Sequence, residues 1–249
     1  MTDRDVARFD AAWNRFACWL STHVPIDHAA LRPPATAEEI AALEVRLGFP
    51  LHPQLRALLE RHNGVIERPE RPDRHAGAFL PLGHRLNGTD RIAREHRWLV
   101  DEGAAIIGDG WGEDKDVLYG HADQWVPFAH PNDGGIVFVD HRPCPTYGHV
   151  YEMGIGSGDS EATKWASSLA ELFEGLAASL DNGQPFQGSW PTPYALPSGH
   201  FCLTWDARTP MESGGTQDWP SQRQLDDSSR GPNSPLRSAS SDRGGLSTD

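Results

Sequence analysis

The clearest hydrophobic pattern in the chain is a pair of short apolar runs, at residues 125–129 and 136–139. Proline, asparagine, aspartate and two glycines separate them at 131–135. Apolar runs joined in this way are typical of a β-hairpin, because glycine and asparagine accept turn conformations that other side chains resist. The second run is apolar at every position, which is typical of a strand covered on both faces. We predict that this strand, which ends at Asp140, lies in the middle of a sheet.

Apolar side chains that recur every three or four residues predict five amphipathic helices. Two of them open with a capping box, in which a hydroxyl side chain and a glutamate side chain accept hydrogen bonds from backbone N–H groups three residues apart. These boxes lie at 36–39 and 168–171. Glycine is expected just beyond a helix end, as at Gly48 and Gly183. The predicted helices span residues 5–21, 37–47, 53–62, about 88–102 and 169–181.

The pattern is weaker between these elements. A short edge strand is predicted at 79–82, where Pro81 cannot donate to a neighbouring strand. A third strand of the central sheet is predicted at 148–153. Residues 65–76 and 108–124 are predicted to be an exposed loop and an irregular loop.

The composition changes after about residue 184, where proline, serine, glycine, glutamine and aspartate dominate and periodicity is lost. We therefore expect one α+β domain over residues 1–183. Residues 184–205 are expected to hold a docking segment or, at 199–205, one more strand. Residues 206–249 are predicted to be disordered, because such a composition buries too little apolar surface to fold.

Charge narrows the classes of partner. The 249 residues carry a formal net charge of −13, which disfavours nucleic acid, because phosphate binding needs clustered lysine and arginine. An acidic chain favours a basic protein partner. No apolar run approaches the length of a membrane span, and the first residues lack a secretory signal, so we expect a cytoplasmic protein without membrane contact. Three widely spaced cysteines do not form a disulfide framework.

Two groups of residues are candidates for sites of chemistry. The glycine-rich segment 154–159 follows a predicted strand, but it lacks the spacing of a phosphate or dinucleotide loop and is expected to be a connection. Histidines and aspartates crowd near the hairpin without a spacing typical of zinc ligands. We therefore expect no catalytic, cofactor-binding or metal-binding residues. The crowded side chains are His121, Asp123, His130, Asp133, Asp140 and His141.

The order and spacing of several segments are informative when taken together: 36–40, 47–51, 55–64, Trp125-Val-Pro-Phe128, Gly134-Gly135, Asp140 and 168–180. Taken in this order, they resemble the SUKH superfamily, which includes the fungal SMI/KNR cell-wall assembly regulators and many bacterial proteins of toxin systems. The resemblance covers roughly residues 30–183. It implies an α+β fold with helices packed on a mixed, largely antiparallel twisted sheet, and a protein-binding role, often as an immunity protein that neutralises a toxin. It implies no catalytic residues.

The predicted partner-binding surface is the acidic loop around Trp111. An aromatic side chain between glycines can enter a pocket of a partner, and a rim of acids speeds encounter with a basic protein. The rim consists of Asp109, Glu113, Asp114 and Asp116. We expect a toxin-neutralising module. A regulator or scaffold in cell-wall assembly or signalling is the first alternative, and a hydrolase or nucleotide-using enzyme is the second.

Overall fold

The structure is a computed structural model that describes residues 3–66, 73–108, 118–131, 134–154 and 162–207. Within these ranges the chain forms six α-helices: α1 (Asp3–His23), α2 (Pro25–His28), α3 (Ala37–Leu47), α4 (Pro53–Leu59), α5 (Thr89–Gly108) and α6 (Leu169–Asn182). It also forms seven strands: β1 (Arg85–Leu86), β2 (Trp125–His130), β3 (Ile136–Asp140), β4 (Val150–Met153), β5 (Thr163–Ala166), β6 (Trp190–Ala195) and β7 (Phe201–Asp206).

Strands β1 to β5 form one sheet in sequence order, with β3 third of the five, as the apolar pattern predicts. Each of the four strand pairings is antiparallel. All residues of β2 and β3 are buried, because the sheet is covered on both faces along these strands. On one face Trp125 stacks on Phe138 with ring centroids 4.3 Å apart. The predicted hairpin and its central strand are confirmed.

Helices α1 and α6 pack against each other on the opposite face of the sheet from Trp125 and Phe138. Trp13 meets Phe173 edge-to-face at 4.8 Å, and exposed ion pairs such as Arg8–Glu174 flank the contact. Both predicted N-caps form. Thr36 and Glu39 complete a reciprocal capping box at α3. At α6 the Ser168 hydroxyl accepts from the N–H of Glu171, as expected, while the Glu171 carboxylate accepts from Ser167 rather than from Ser168.

The edge of the sheet differs from the prediction. Residues 79–82 do not form a strand: Pro81–Gly83 is a 3-10 turn with Leu82 at φ 57°. Proline fixes the backbone for such a turn, and the strand begins two residues after the turn, at Arg85. A further strand, β5, was missed because Thr163–Ala166 is short and half exposed. The glycine-rich segment after β4 therefore leads to a strand and not directly to a helix.

Helix α4 ends at Leu59, earlier than predicted. Asn63-Gly64 does not end the helix and instead contacts the chain at the start of α5. A Cβ on Gly64 would lie 2.3 Å from the backbone nitrogen of Gly88, so two chain segments touch backbone to backbone there. The Asn63 Oδ1 accepts from the Thr89 N–H at 2.7 Å, which caps the start of α5. Helix α5 continues to Gly108, beyond its predicted end near residue 102.

The C-terminal hairpin of β6 and β7 packs on α2 through a buried carboxylate. Asp27 is fully buried and accepts from the N–H of Leu203 at 2.7 Å and from the N–H of Gly77 at 2.8 Å. Part of the segment predicted to be an exposed loop, 65–76, is also covered, since Val65 and Ala76 are buried.

The α+β fold class is confirmed. The predicted disorder of the C-terminal tail concerns residues that, beyond 207, lie outside the described ranges.

Candidate functional site

The predicted acidic binding loop lies outside the described residues, but the structure shows what stands on either side of it. Helix α5 ends at Gly108, and a 3-10 segment begins at Leu118. These two elements pack against each other, and His96 on α5 lies 3.0 Å from the carbonyl oxygen of Asp123. The two ends of the loop therefore leave from adjoining elements. The proposed roles of Asp109, Trp111, Glu113, Asp114 and Asp116 stay predictions.

A groove lies between α5 and the turn that joins β2 to β3. Its volume is about 520 Å³. Helix α5 contributes four side chains at positions i, i+3, i+4 and i+7, which one face of a helix brings together. These are Arg91, Arg94, Glu95 and Trp98. They face His130, Pro131 and the glycines 134 and 135.

Sequence reasoning missed this groove because it followed only the apolar stripe of α5. That stripe, which includes Ile92, His96 and Leu99, is buried as expected. The signal for the groove was the opposite pattern, two arginines and an aromatic on the polar face of the same helix. Trp98 is 40% exposed, which is uncommon for so large an apolar side chain.

Positive charge surrounds the floor of the groove. Burial lowers the pKa of His130 to about 3, and the nearby charges of Arg91, Arg85, His84 and Arg94 lower it further in that order. Arg91 is half-buried and pairs with Glu95 at 3.1 Å. Arg94 is exposed and forms no ion pair with another described residue. Among the described residues that line the groove, two arginines outnumber one glutamate, so this lining is positive on a chain of strongly negative net charge.

The imidazole of His130 is held in one orientation by an asparagine. The side-chain N–H of Asn87 donates to the carbonyl oxygen of Pro127 at 2.9 Å, so its oxygen faces His130 and accepts from Nδ1. The ring is therefore neutral, with its proton on Nδ1 and an acceptor lone pair on Nε2. This fixes the floor of the groove as a rigid, uncharged surface beneath the arginines.

A pair of histidines, His52 and His141, lies at the opposite end of the β2–β3 hairpin. His141 donates from Nδ1 to the carbonyl oxygen of Val139 at 2.9 Å, and its Nε2 accepts from the backbone N–H of His52 at 2.8 Å. Burial lowers the pKa of both histidines to about 4. Both rings are neutral and both join chain segments, so this pair is structural.

Asp140, at the end of β3, organises the loop that follows. It is fully buried and accepts from the backbone N–H of Arg142 at 2.9 Å, from its guanidinium at 2.7 Å and from the Thr146 hydroxyl at 2.6 Å. A second guanidinium nitrogen, Nε, donates at 2.9 Å, so four donors satisfy one carboxylate, which is how a buried charge is tolerated. The aspartate that ends this strand thus holds a loop in place and carries no exposed chemistry.

The crowding of histidines and aspartates in the sequence does not become a cluster in space. Trp125 pairs with Asp140, so His130 at the turn and His141 at the open end are about five residues apart along the hairpin, or roughly 17 Å. Within the described ranges no three His, Cys, Asp or Glu side chains converge on a point that could hold a metal ion. Asp133 and residues 155–159 of the glycine-rich segment fall outside those ranges.

No helix of the described ranges combines the length and apolar character that crossing a bilayer requires. Comparison of the chain with curated proteins returns no significant match. The model of the SMI1 / KNR4 family (SUKH-1) matches residues 34–175, which run from just before α3 into α6. This match covers more than half of the 249 residues and contains the sheet, α5 and both sides of the groove, so the chain belongs to the SMI1 / KNR4 (SUKH-1) family.

Proposed function

We propose that the protein is a non-enzymatic binding module that neutralises a partner toxin. The observation that carries this proposal is the family match, because the family includes immunity proteins as well as cell-wall regulators. The net charge of −13 supports a basic partner, since opposite charge speeds association. A regulator of cell-wall assembly is the other role within the family, and a gene that encodes a secreted toxin directly beside this one would favour immunity.

The proposed interface is the loop 109–116. Trp111 would enter a pocket on the partner, while Asp109, Glu113, Asp114 and Asp116 form the acidic rim. The elements on either side of the loop, α5 and the 3-10 segment that begins at Leu118, pack against each other. If substitutions in this loop leave partner binding unchanged, the arginine-rich stretch at 65–76 is the next surface to test.

The test begins with a partner captured from the native host. Trp111→Ala is expected to weaken binding by about 2 kcal/mol or more, mostly through faster dissociation, because buried aromatic anchors dominate such interfaces. Surface plasmon resonance measures both rates. Partner binding unchanged by this substitution would remove the loop from the interface.

A charge reversal distinguishes the effect of the acidic residues on the association rate from the direct contact made by Trp111. Asp114→Lys with Asp116→Lys should slow association and reduce its dependence on salt, because both acids contribute to the attractive field. The matched control reverses two exposed acids elsewhere, Glu38 and Asp101, which changes the net charge equally. Equal slowing by both pairs would show that only overall charge matters and not the loop.

A further inference from the structure

We propose that the groove between α5 and the β2–β3 turn binds an acidic side chain of the partner protein, held by Arg94 and flanked by an apolar residue on Trp98. This inference rests on the proposed protein-binding function and adds a second contact to it, of opposite charge to the acidic loop. A partner that offers a basic patch to the loop and a carboxylate to the groove could dock in one orientation only.

The charges around the groove select the ligand. Arg91 is already paired with Glu95, whereas Arg94 is exposed and forms no ion pair with a described residue. One carboxylate therefore matches the guanidinium of Arg94, which can hold it through two parallel hydrogen bonds. A phosphate-rich polymer fits less well, since Glu95 lines the same groove and the chain as a whole carries −13.

Trp98 supplies the apolar half of the contact. Tryptophan and arginine are the side chains most enriched at the points of an interface that carry its binding energy. Here the two lie one helical turn apart on the same face of α5 and both are exposed. An apolar side chain on Trp98 would exclude water from the neighbouring ion pair and so strengthen it.

The opposite wall of the groove lets a peptide backbone come close. Gly134 and Gly135 present no side chains, and both adopt positive φ, at 94° and 124°. A Cβ on Gly135 would lie 3.2 Å from the carbonyl oxygen of Met153, so a side chain there would be tight as well as strained. A volume of about 520 Å³ holds one or two side chains of a peptide, within the range typical of binding pockets.

The direct test uses a defined probe, the acetylated and amidated hexapeptide Gly-Phe-Glu-Glu-Phe-Gly, and its glutamine analogue Gly-Phe-Gln-Gln-Phe-Gly. Titration into the ¹⁵N-labelled full chain is followed by NMR at the indole N–H of Trp98. The glutamate peptide is expected to shift this signal with saturation, and the glutamine peptide to bind at least fivefold more weakly. An unmoved Trp98 signal, or equal binding of both peptides, would overturn the proposal.

Two arginines of one helix provide a matched pair of variants. Arg94→Gln should weaken binding of the glutamate peptide about tenfold, because it removes the guanidinium that faces the carboxylate. Arg97→Gln makes the same change of charge one residue before Trp98, about 100° around the helix, and should alter the dissociation constant less than twofold. Equal effects of the two substitutions would show general attraction instead of a site. Inorganic phosphate that displaces the peptide at equal concentration would assign the groove to phosphate and also overturn the proposal.

The same variants separate this proposal from the proposed function. A captured partner that binds Arg94→Gln and Trp98→Ala as tightly as wild type would reject the groove while the binding module stands. A glutamate peptide that binds the groove when no partner responds to loop substitutions would support the groove and reject the proposed interface.

Discussion

At the scale of single residues, the tightest constraint is the contact between Gly64 and Gly88. A Cβ on Gly64 would meet the nitrogen of Gly88 at 2.3 Å, and a Cβ on Gly88 would meet the carbonyl oxygen of Asn63 at 2.6 Å. Two backbones approach so closely that neither position has room for a side chain. The sequence shows an Asn-Gly pair and suggests a helix end, but it does not reveal which distant segment the glycine touches.

Gly64→Ala tests this contact against a glycine of similar backbone conformation. Gly48 has φ 84° and nothing within 4 Å of a Cβ, whereas Gly64 has φ 77° and the close contact. Gly48→Ala should cost only the strain of the left-handed conformation, about 1–2 kcal/mol. Gly64→Ala should lower the free energy of unfolding by at least about 2 kcal/mol more, because backbone atoms must move. Urea denaturation measures both, and equal losses would mean that the close contact does not exist.

At the scale of elements, the docked hairpin of β6 and β7 depends on one side chain far away in the sequence. Asp27 accepts backbone hydrogen bonds from β7 and from the loop before the 3-10 turn, and the indole N–H of Trp205 donates to the carbonyl oxygen of Phe79 at 2.9 Å. The family match ends at residue 175, so this hairpin is an addition outside the matched region. It is held by buried polar contacts as well as by apolar packing.

Asp27→Ala should loosen the hairpin without unfolding the rest of the domain. The substitution leaves two buried N–H groups without their acceptor, and each such loss typically costs about 1–3 kcal/mol. Hydrogen exchange should then quicken at the amide of Leu203 while the amides of β3 keep their protection. Asp73→Ala is the control, since its contact with the Ser198 N–H is exposed and 3.3 Å long. Unchanged exchange at Leu203 would contradict a holding role for Asp27.

How well each element could be predicted depends on how local its signal is. The hairpin around Gly134-Gly135 and the caps at Thr36 and Ser168 follow from neighbouring residues, and all three form. The strands β1 and β5 are only two and four residues long, too short for a periodic pattern. The groove was not predictable, because it joins a helix to a turn about 40 residues away in the chain.

At the scale of the whole molecule, buried titratable groups make stability depend on pH. Burial lowers the pKa of His52 and His141 to about 4 and of His130 to about 3. The stability that each contributes is present above the ordinary pKa of 6.5 and is lost as the pH falls through the lowered value. Asp27 acts in the opposite direction. Burial raises its pKa to about 7, against two backbone hydrogen bonds that lower it, so its contribution is present below pH 3.8 and lost as the pH rises through about 7.

The combined effect of these three histidines exceeds the opposite effect of Asp27. We therefore predict that the protein loses stability on acidification from pH 6.5 to 4. His130→Gln should reduce the slope of unfolding free energy against pH in this window by about 1.4 kcal/mol per pH unit, because one proton fewer is taken up on unfolding. His200→Gln, at an exposed position, is the matched control for replacing a histidine by glutamine. Urea denaturation at half-unit steps of pH gives the slope, and identical slopes for both variants would show that His130 is not buried in neutral form.

The docked hairpin of β6 and β7 also buries a thiol whose rate of modification reports the opening of the hairpin. Cys202 on β7 is fully buried beside Asp27, and burial raises the pKa of its thiol to about 12, whereas Cys18 and Cys144 are exposed. A thiol reagent should therefore modify two cysteines quickly and the third only when the hairpin swings away from α2. The rate of that slow reaction, compared with the rate of an unfolded chain, measures how often the hairpin opens. The rate should rise in Asp27→Ala by the same factor as exchange at Leu203, so a colour change in a cuvette can report the opening of this one element.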